Sequence, residues 1–192
     1  MKKIFISTSS FAQYSEKPIH LLENNGFKII FNQYGRKLKK SECLKLYHDY
    51  DGIIAGTEIF DKDVLDYASK LKVISRVGVG IDNIDVDYAK KKGINVRRSQ
   101  TRPSLAVAEL VLGVMLDLIR KISLQNQELK SGNWNKRMGS LLSGKTLGII
   151  GLGNIGKTLI KITQGLSLNY LAHDIILDEE FSKSYNVNYC GL

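Results

Sequence analysis

The sequence predicts an α/β protein built on two open parallel sheets, and three observations carry that reading. Short apolar runs alternate with segments of helical spacing as far as Val96. Near residue 100 the rhythm changes to one long helical stretch. After Lys145 a strand, a glycine-rich turn and a helix follow one another directly.

The elements can be justified in order. Lys3 to Ser7 is a short apolar run and a first strand. Ile19, Leu21 and Leu22 lead into Asn24-Asn25-Gly26, a helix ending on a glycine. Phe27 to Phe31 is the second strand; Ser41 can cap a short helix through Leu46, and Gly52 to Ala55 is a buried strand. Asp61 caps a helix over Lys62 to Ser69, with Val64 and Leu65 on its apolar face. Leu71 to Ser75 is the next strand; Asp85 caps a helix through Lys91, Gly93 stops it, and Ile94 to Val96 follows as a fifth strand. Such alternation is the pattern of an open parallel sheet.

Pro103-Ser104 opens the long helix, with Leu105, Ala108, Leu112, Met115, Leu116 and Ile119 at helical spacing, continuing through Leu129. Glu109, on this mostly apolar helix, reads as a buried hydrogen-bonding residue rather than a catalytic one. Ser131 to Asn135 is a loop, and Thr146 to Ile150 is a strand apolar on both faces that expects neighbours on both edges. A domain boundary near 98 to 104 divides the chain into residues 1–100 and 101–192.

Directly after that strand stands Gly151-Leu152-Gly153-Asn154-Ile155-Gly156, followed by a helix with Leu159, Ile160 and Ile162 on one side. Gly151 permits the tight turn, Gly153 lets the backbone approach a pyrophosphate, and Gly156 lets helix and strand pack closely. The free N–H groups of the helix start, Asn154 and Ile155 among them, then face phosphate oxygens. The helix ends near Gly165, and a second strand from Asn169 finishes at His173-Asp174. Asp174 follows Gly156 by 18 residues, the spacing of the acid that binds adenosine ribose hydroxyls. A carboxylate there repels a 2′-phosphate, so NAD is expected over NADP.

An apolar share of 43% and a charged share of 24% exclude wholesale disorder. No stretch reaches the roughly 18 apolar residues of a membrane span, and the run after Met1 is too short for a signal peptide. Cys43 and Cys190 show no ligand or redox spacing, so two reduced thiols in a cytoplasmic protein and no metal are expected. The net charge of +9 could mark a nucleic-acid surface, but Lys37 to Lys40 and Lys90 to Lys92 read as solvated helix faces without interleaved aromatics. No nucleic-acid or membrane partner is expected.

The blocks Leu71 to Asp85, Val107 to Leu110, Gly132-Asn133-Trp134 and Gly144 to Gly156 together resemble the NAD-dependent D-2-hydroxyacid dehydrogenases, and among them the D-3-phosphoglycerate dehydrogenase branch. The resemblance implies a flavodoxin-like substrate-binding domain over residues 1–100 and the start of a Rossmann domain after it. It implies that Val79 lies by the nicotinamide and that Val79 and Gly80 bind the carboxylate of a small 2-hydroxy or 2-oxo acid. Glycines at a strand end can also form such an anion-holding nest on physical grounds. Homodimerisation through the cofactor domain, near Trp134, is implied for the full-length form. Two departures stand out: Arg98-Ser99-Gln100 occupies a usual Asn-Thr-Pro, and no arginine follows Ala55, which weakens the case for a phosphorylated substrate.

The family's catalytic Arg, Glu and His lie after the acid that Asp174 matches. His20, His48 and His173 do not fill the role, so no catalytic residue is assigned. The chain is thus expected to be C-terminally truncated and inactive alone. The alternative is a non-catalytic NAD-binding or regulatory module.

Overall fold

The computed structural model describes residues 1–101 and 103–192. The chain forms two compact units, Met1–Arg102 and Pro103–Leu192.

The first unit runs β1 (Lys3–Ile6), α1 (Lys17–Asn24), β2 (Lys28–Phe31), α2 (Lys40–Leu46), β3 (Gly52–Ala55), α3 (Lys62–Tyr67), β4 (Val73–Arg76), α4 (Val86–Lys91) and β5 (Asn95–Arg98). Its five strands form one parallel sheet in the order β2-β1-β3-β4-β5. Phe5, Tyr47, Ile53, Phe60, Leu65 and Ile74 bury against one another on one side of it. Tyr47 stacks on Phe60 with centroids 5.5 Å apart, and Phe5 meets Tyr47 edge-on at 5.6 Å. In this order the crossovers diverge between β1 and β3, which leaves a crevice at the carboxyl ends of the strands. Ser7, Gly56 and Val77 are the first residues past β1, β3 and β4.

Local capping follows the sequence in two helices and departs from it in a third. Asp61 Oδ1 accepts from the Val64 N–H at 3.1 Å, and Asp85 Oδ1 from the Tyr88 N–H at 3.0 Å. Ser41 does not cap α2, which begins one residue earlier; Glu42 reaches back to the Lys39 N–H at 2.7 Å and is itself gripped by Arg36. A residue inside the first turn has no free geometry for capping, and the glutamate supplies the acceptor instead.

The second unit runs α5 (Ser104–Arg120), α6 (Ile122–Lys130), β6 (Thr146–Ile150), α7 (Asn154–Thr163), β7 (Asn169–His173), α8 (Glu179–Tyr185) and β8 (Val187–Tyr189), with a parallel sheet in the order β6-β7-β8. The long helix expected through Leu129 is two helices. Lys121 turns left-handed, with φ 58°, and the Asp117 carboxylate accepts from both the N–H and the hydroxyl of Ser123 at 2.6 Å. That capping stabilises the break more than the continuing periodicity opposes it. Leu142, Leu152, Ile160, Tyr170 and Val187 form the core, with Leu112, Met115, Leu116 and Ile119 of α5 packed on it.

A second sequence expectation fails in this unit. Glu109 is exposed rather than buried, because α5 turns Ala108 and Leu112 inward and places residue 109 outside that stripe. β6 pairs with β7 alone among the described residues, and its burial alternates, so Ile150 is 77% exposed. Leu110, Val114 and Leu118 are exposed along one face of α5.

Among the described residues no helix is long and apolar enough to cross a membrane, and no cluster of three metal-ligating side chains occurs. The basic runs are partly committed locally: Lys40 pairs with Asp61 and Asp63, and Lys92 with Asp66.

Candidate functional site

In the second unit the glycine-rich turn joins β6 to α7 with almost no intervening chain. Gly151 adopts φ +90°, a conformation that costs a side-chain-bearing residue about 1–2 kcal/mol, and its N–H donates to the His173 carbonyl at 2.8 Å. Gly153 is the N-terminal cap of α7 in an extended conformation, with nothing within 4 Å of where a Cβ would stand. Gly156 is buried, and a Cβ there would lie 3.0 Å from Gly151 O and 3.1 Å from Ile149 Cγ2. The turn is therefore pressed against the strand at Gly156 and open to solvent at Gly153. Asn154 and Ile155 are exposed in the first turn of α7, where N–H groups have no intrahelical acceptor and the dipole favours an anion.

β7 lies beside β6 in parallel register, with Ile150 opposite His173. Asp174, one residue on, is thereby brought to the same sheet edge as the turn. Its carboxylate accepts from the Ile176 N–H at 3.0 Å. That bond, together with the nearby Leu152 and Ile175 amides, holds it below the usual carboxylate range. Asp174 and Gly153 share a surface hollow of about 640 Å³ with Leu152, Ile176 and Leu177, within the size of ordinary ligand pockets. Lys157, also on this wall, is ion-paired to Asp178, which in turn caps α8 through the Phe181 N–H at 3.0 Å. Glu179 and Glu180 complete a wall rich in acid.

In the first unit the loop after β4 is tied down from β5. The Gly78 N–H donates to Ser99 Oγ at 3.1 Å, and the Ser99 N–H to Gly78 O at 3.1 Å. Arg98 Nη1 donates to Val79 O at 3.2 Å and Arg76 Nη1 to Val77 O. The N–H groups of Val79 and Gly80 meet no acceptor among the described residues. In the sequence, Arg98 and Ser99 stand out only as a departure from a family pattern. Their role rests on the parallel register that sets Arg98 beside Arg76, and periodicity carries no trace of it.

A second cluster at this edge was invisible in the sequence. Glu58 is 1% exposed. Its Oε1 accepts from Ser7 Oγ, from Tyr47 Oη at 3.2 Å and from the Gly56 N–H at 3.2 Å. Asn83 Nδ2 donates to Glu58 O at 2.6 Å, which joins the turn after β3 to the loop after β4. Burial, with the charge of Glu58 close by, pushes the Tyr47 hydroxyl far above its ordinary range, and burial raises the Cys43 thiol to about 11. The histidines stand apart from these sites or are engaged. His20 and His48 are exposed, and His173 Nδ1 lies 3.0 Å from Cys190 O.

A sequence profile for the D-isomer specific 2-hydroxyacid dehydrogenase catalytic domain matches residues 5–186. The chain belongs to that family. It is 41% identical over 154 residues to a D-3-phosphoglycerate dehydrogenase of Methanocaldococcus jannaschii, a match spanning 78% of this chain and 29% of that protein. Over 141 residues it is 38% identical to a hydroxypyruvate reductase of Thermotoga maritima, spanning 71% of this chain and 46% of the relative. The solved D-lactate dehydrogenase of Escherichia coli superposes with a TM-score of 0.81 at 26% identity, covering all of this chain and 60% of that one. The chain thus spans less than half the length of these two curated relatives.

Proposed function

We propose that this chain holds two binding halves of an NAD-dependent oxidoreductase of D-2-hydroxyacids. The second unit takes the dinucleotide, and the first takes a small 2-hydroxy or 2-oxo acid. One observation carries the proposal: the open glycine turn at the N-terminus of α7 and the carboxylate of Asp174 share one hollow at the end of adjacent parallel strands. The N–H groups of Gly153, Asn154 and Ile155 suit a pyrophosphate, with Gly151 and Gly156 shaping the turn. Asp174 suits two ribose hydroxyls, and the exposed Ile175, Ile176 and Leu177 suit the flat apolar face of adenine. Lys157 is spent on Asp178, and the neighbouring acids oppose a 2′-phosphate, so NAD is favoured over NADP.

In the first unit the free N–H groups of Val79 and Gly80 are the candidate holders of the substrate carboxylate. NAD supplies the hydride acceptor when bound. This chain's residues bind and orient; none of its histidines is placed to move the hydroxyl proton. The 192-residue chain by itself is accordingly expected to bind dinucleotide without turning over hydroxyacid. That placement equally favours a second reading, a dinucleotide-binding module without catalysis. A second copy of the chain suits the exposed apolar face of Leu110, Val114, Leu118 and Trp134. The unpaired thiols suit the cytoplasm, and the pairing of Lys40 and Lys92 with nearby acids argues against a nucleic-acid partner.

The test is NADH titration of the 192-residue chain, read by energy transfer from Trp134. Asp174→Ala removes charge-assisted hydrogen bonds of about 1.5–3 kcal/mol each and should weaken NADH at least tenfold. NADPH should bind less tightly than NADH to the unmutated chain. An unchanged NADH affinity in Asp174→Ala would remove the ribose contact from the proposal.

A further inference from the structure

The carboxyl edge of the first unit carries its charges unevenly: the loop after β4 has two arginines beside it and the exposed Asp82, whose carboxylate lies 3.5 Å from where a Cβ on Gly80 would stand. On the β4–β5 side, Arg76 and Arg98 both lie on the loop from Val77 to Gly80, bonded to its carbonyls. On the β1–β3 side, the buried charged group is Glu58. Its three donors, Ser7, Tyr47 and the Gly56 N–H, all converge on Oε1 and are all neutral. No donor among the described residues reaches Oε2, which lies 3.0 Å from where a Cβ on Gly56 would stand. Thr8 Cβ closes the same space from β1 at 3.2 Å. A side chain at residue 56 would press on both, which would have to give by a few tenths of an ångström. Glu58 has no cationic partner among the described residues, and a charge carried there is screened less than one in open water.

Gly56 follows the register pair Ala55 and Arg76, so it stands next to Val77 across one strand spacing of about 4.8 Å. A three- or four-carbon acid spans that interval. An acid held by its carboxylate at Val79 and Gly80 can extend its far end across that interval to Gly56 and Glu58.

We propose that Glu58 is a specificity determinant that restricts this site to 2-hydroxy or 2-oxo acids whose far end bears no negative charge. The proposal rests on the reading that Val79 and Gly80 hold the substrate carboxylate. The arginine side receives the one carboxylate, and the glutamate side rejects a phosphate or a second carboxylate. Glu58 acts through space, so it need not touch the ligand, and its burial strengthens rather than hinders the effect.

The experiment uses the 192-residue chain and four probes: D-lactate, D-2-hydroxybutyrate, D-malate and 3-phosphoglycerate. Binding is followed by NMR at the Val79 and Gly80 amides. The two monoanions should bind at least about tenfold more tightly than malate and 3-phosphoglycerate, the scale of one charge pair about 8 Å apart at an effective dielectric near 20. 2-Hydroxybutyrate against malate separates charge from length and needs no variant. Glu58→Gln keeps an oxygen for Ser7, Tyr47 and Gly56 but removes the charge. It should return most of that tenfold to the dianions and leave lactate nearly unchanged. Dianions binding as well as monoanions, or keeping their handicap in Glu58→Gln, would overturn the role of Glu58. If no acid moves the Val79 and Gly80 amides, the carboxylate reading itself fails, and the two failures are told apart.

Discussion

Gly156→Ala tests whether the nucleotide turn is held by contact or merely by conformation. Gly156 is the third residue of α7, buried against β6. The added methyl meets Gly151 O at 3.0 Å and Ile149 Cγ2 at 3.1 Å. The carbonyl belongs to a turn tied to β7, with the Gly151 N–H donating to His173 O at 2.8 Å. The helix must therefore retreat by a few tenths of an ångström. Overpacking of this kind costs about 1–3 kcal/mol, and alanine in a helix interior returns about 0.8–1 kcal/mol relative to glycine. A net destabilisation of about 1 kcal/mol follows. Gly148→Ala, on β6, is the matched control: nothing lies within 4 Å of its Cβ position. A glycine removed from an open strand position stabilises by about 0.5–1 kcal/mol. Urea unfolding followed by far-UV circular dichroism reads both, at constant m. The same chemical change should thus act with opposite sign eight residues apart. Gly156→Ala at or above the parent stability would refute the close-packing argument, as would equal losses in the two variants.

Acid should weaken the first unit in a defined window. Arg36, and after it the Lys39 N–H, hold the Glu42 carboxyl down at about 2 instead of 4.5. A depressed carboxyl contributes stability that is complete above its unfolded value and fades as pH falls toward its folded one. The urea midpoint should therefore drop between pH 4.5 and 2, and the drop should be shallower in Glu42→Gln; identical pH profiles would count against the pairing. The two thiols should separate in alkylation at pH 8. Exposed Cys190 reacts readily, while burial leaves Cys43 almost wholly protonated, and mass spectrometry should find one adduct on the folded chain and two in urea. Equal rates at the two cysteines would contradict the packing around Tyr47.

Much of the fold was legible because its signals are local. The alternation of apolar runs with capped helices dictates a parallel sheet, since only crossovers of that kind connect such strands. Asp61 and Asp85 announced their helices, as side-chain capping acts across three residues. Where a competing local contact is stronger, the structure departs from the sequence pattern. Glu42 displaced Ser41 as the cap of α2, and Asp117 broke the helix that periodicity carried past Lys121. Glu109 was misjudged because an apolar neighbourhood in sequence does not say which residues turn inward.

The chain of amino acids carries by itself the alternation of strands and helices of the first unit, and the glycine turn with its acid 18 residues on. Backbone conformation and spacing along the chain are enough to specify both. Only the tertiary structure decided that Arg98 and Ser99 hold the loop after β4 and that Glu58 lies buried beneath Gly56 with Ser7 and Tyr47 upon it. Those contacts join residues as much as 51 positions apart. They exist because parallel pairing brings strand ends together at one edge, a juxtaposition that no local pattern encodes.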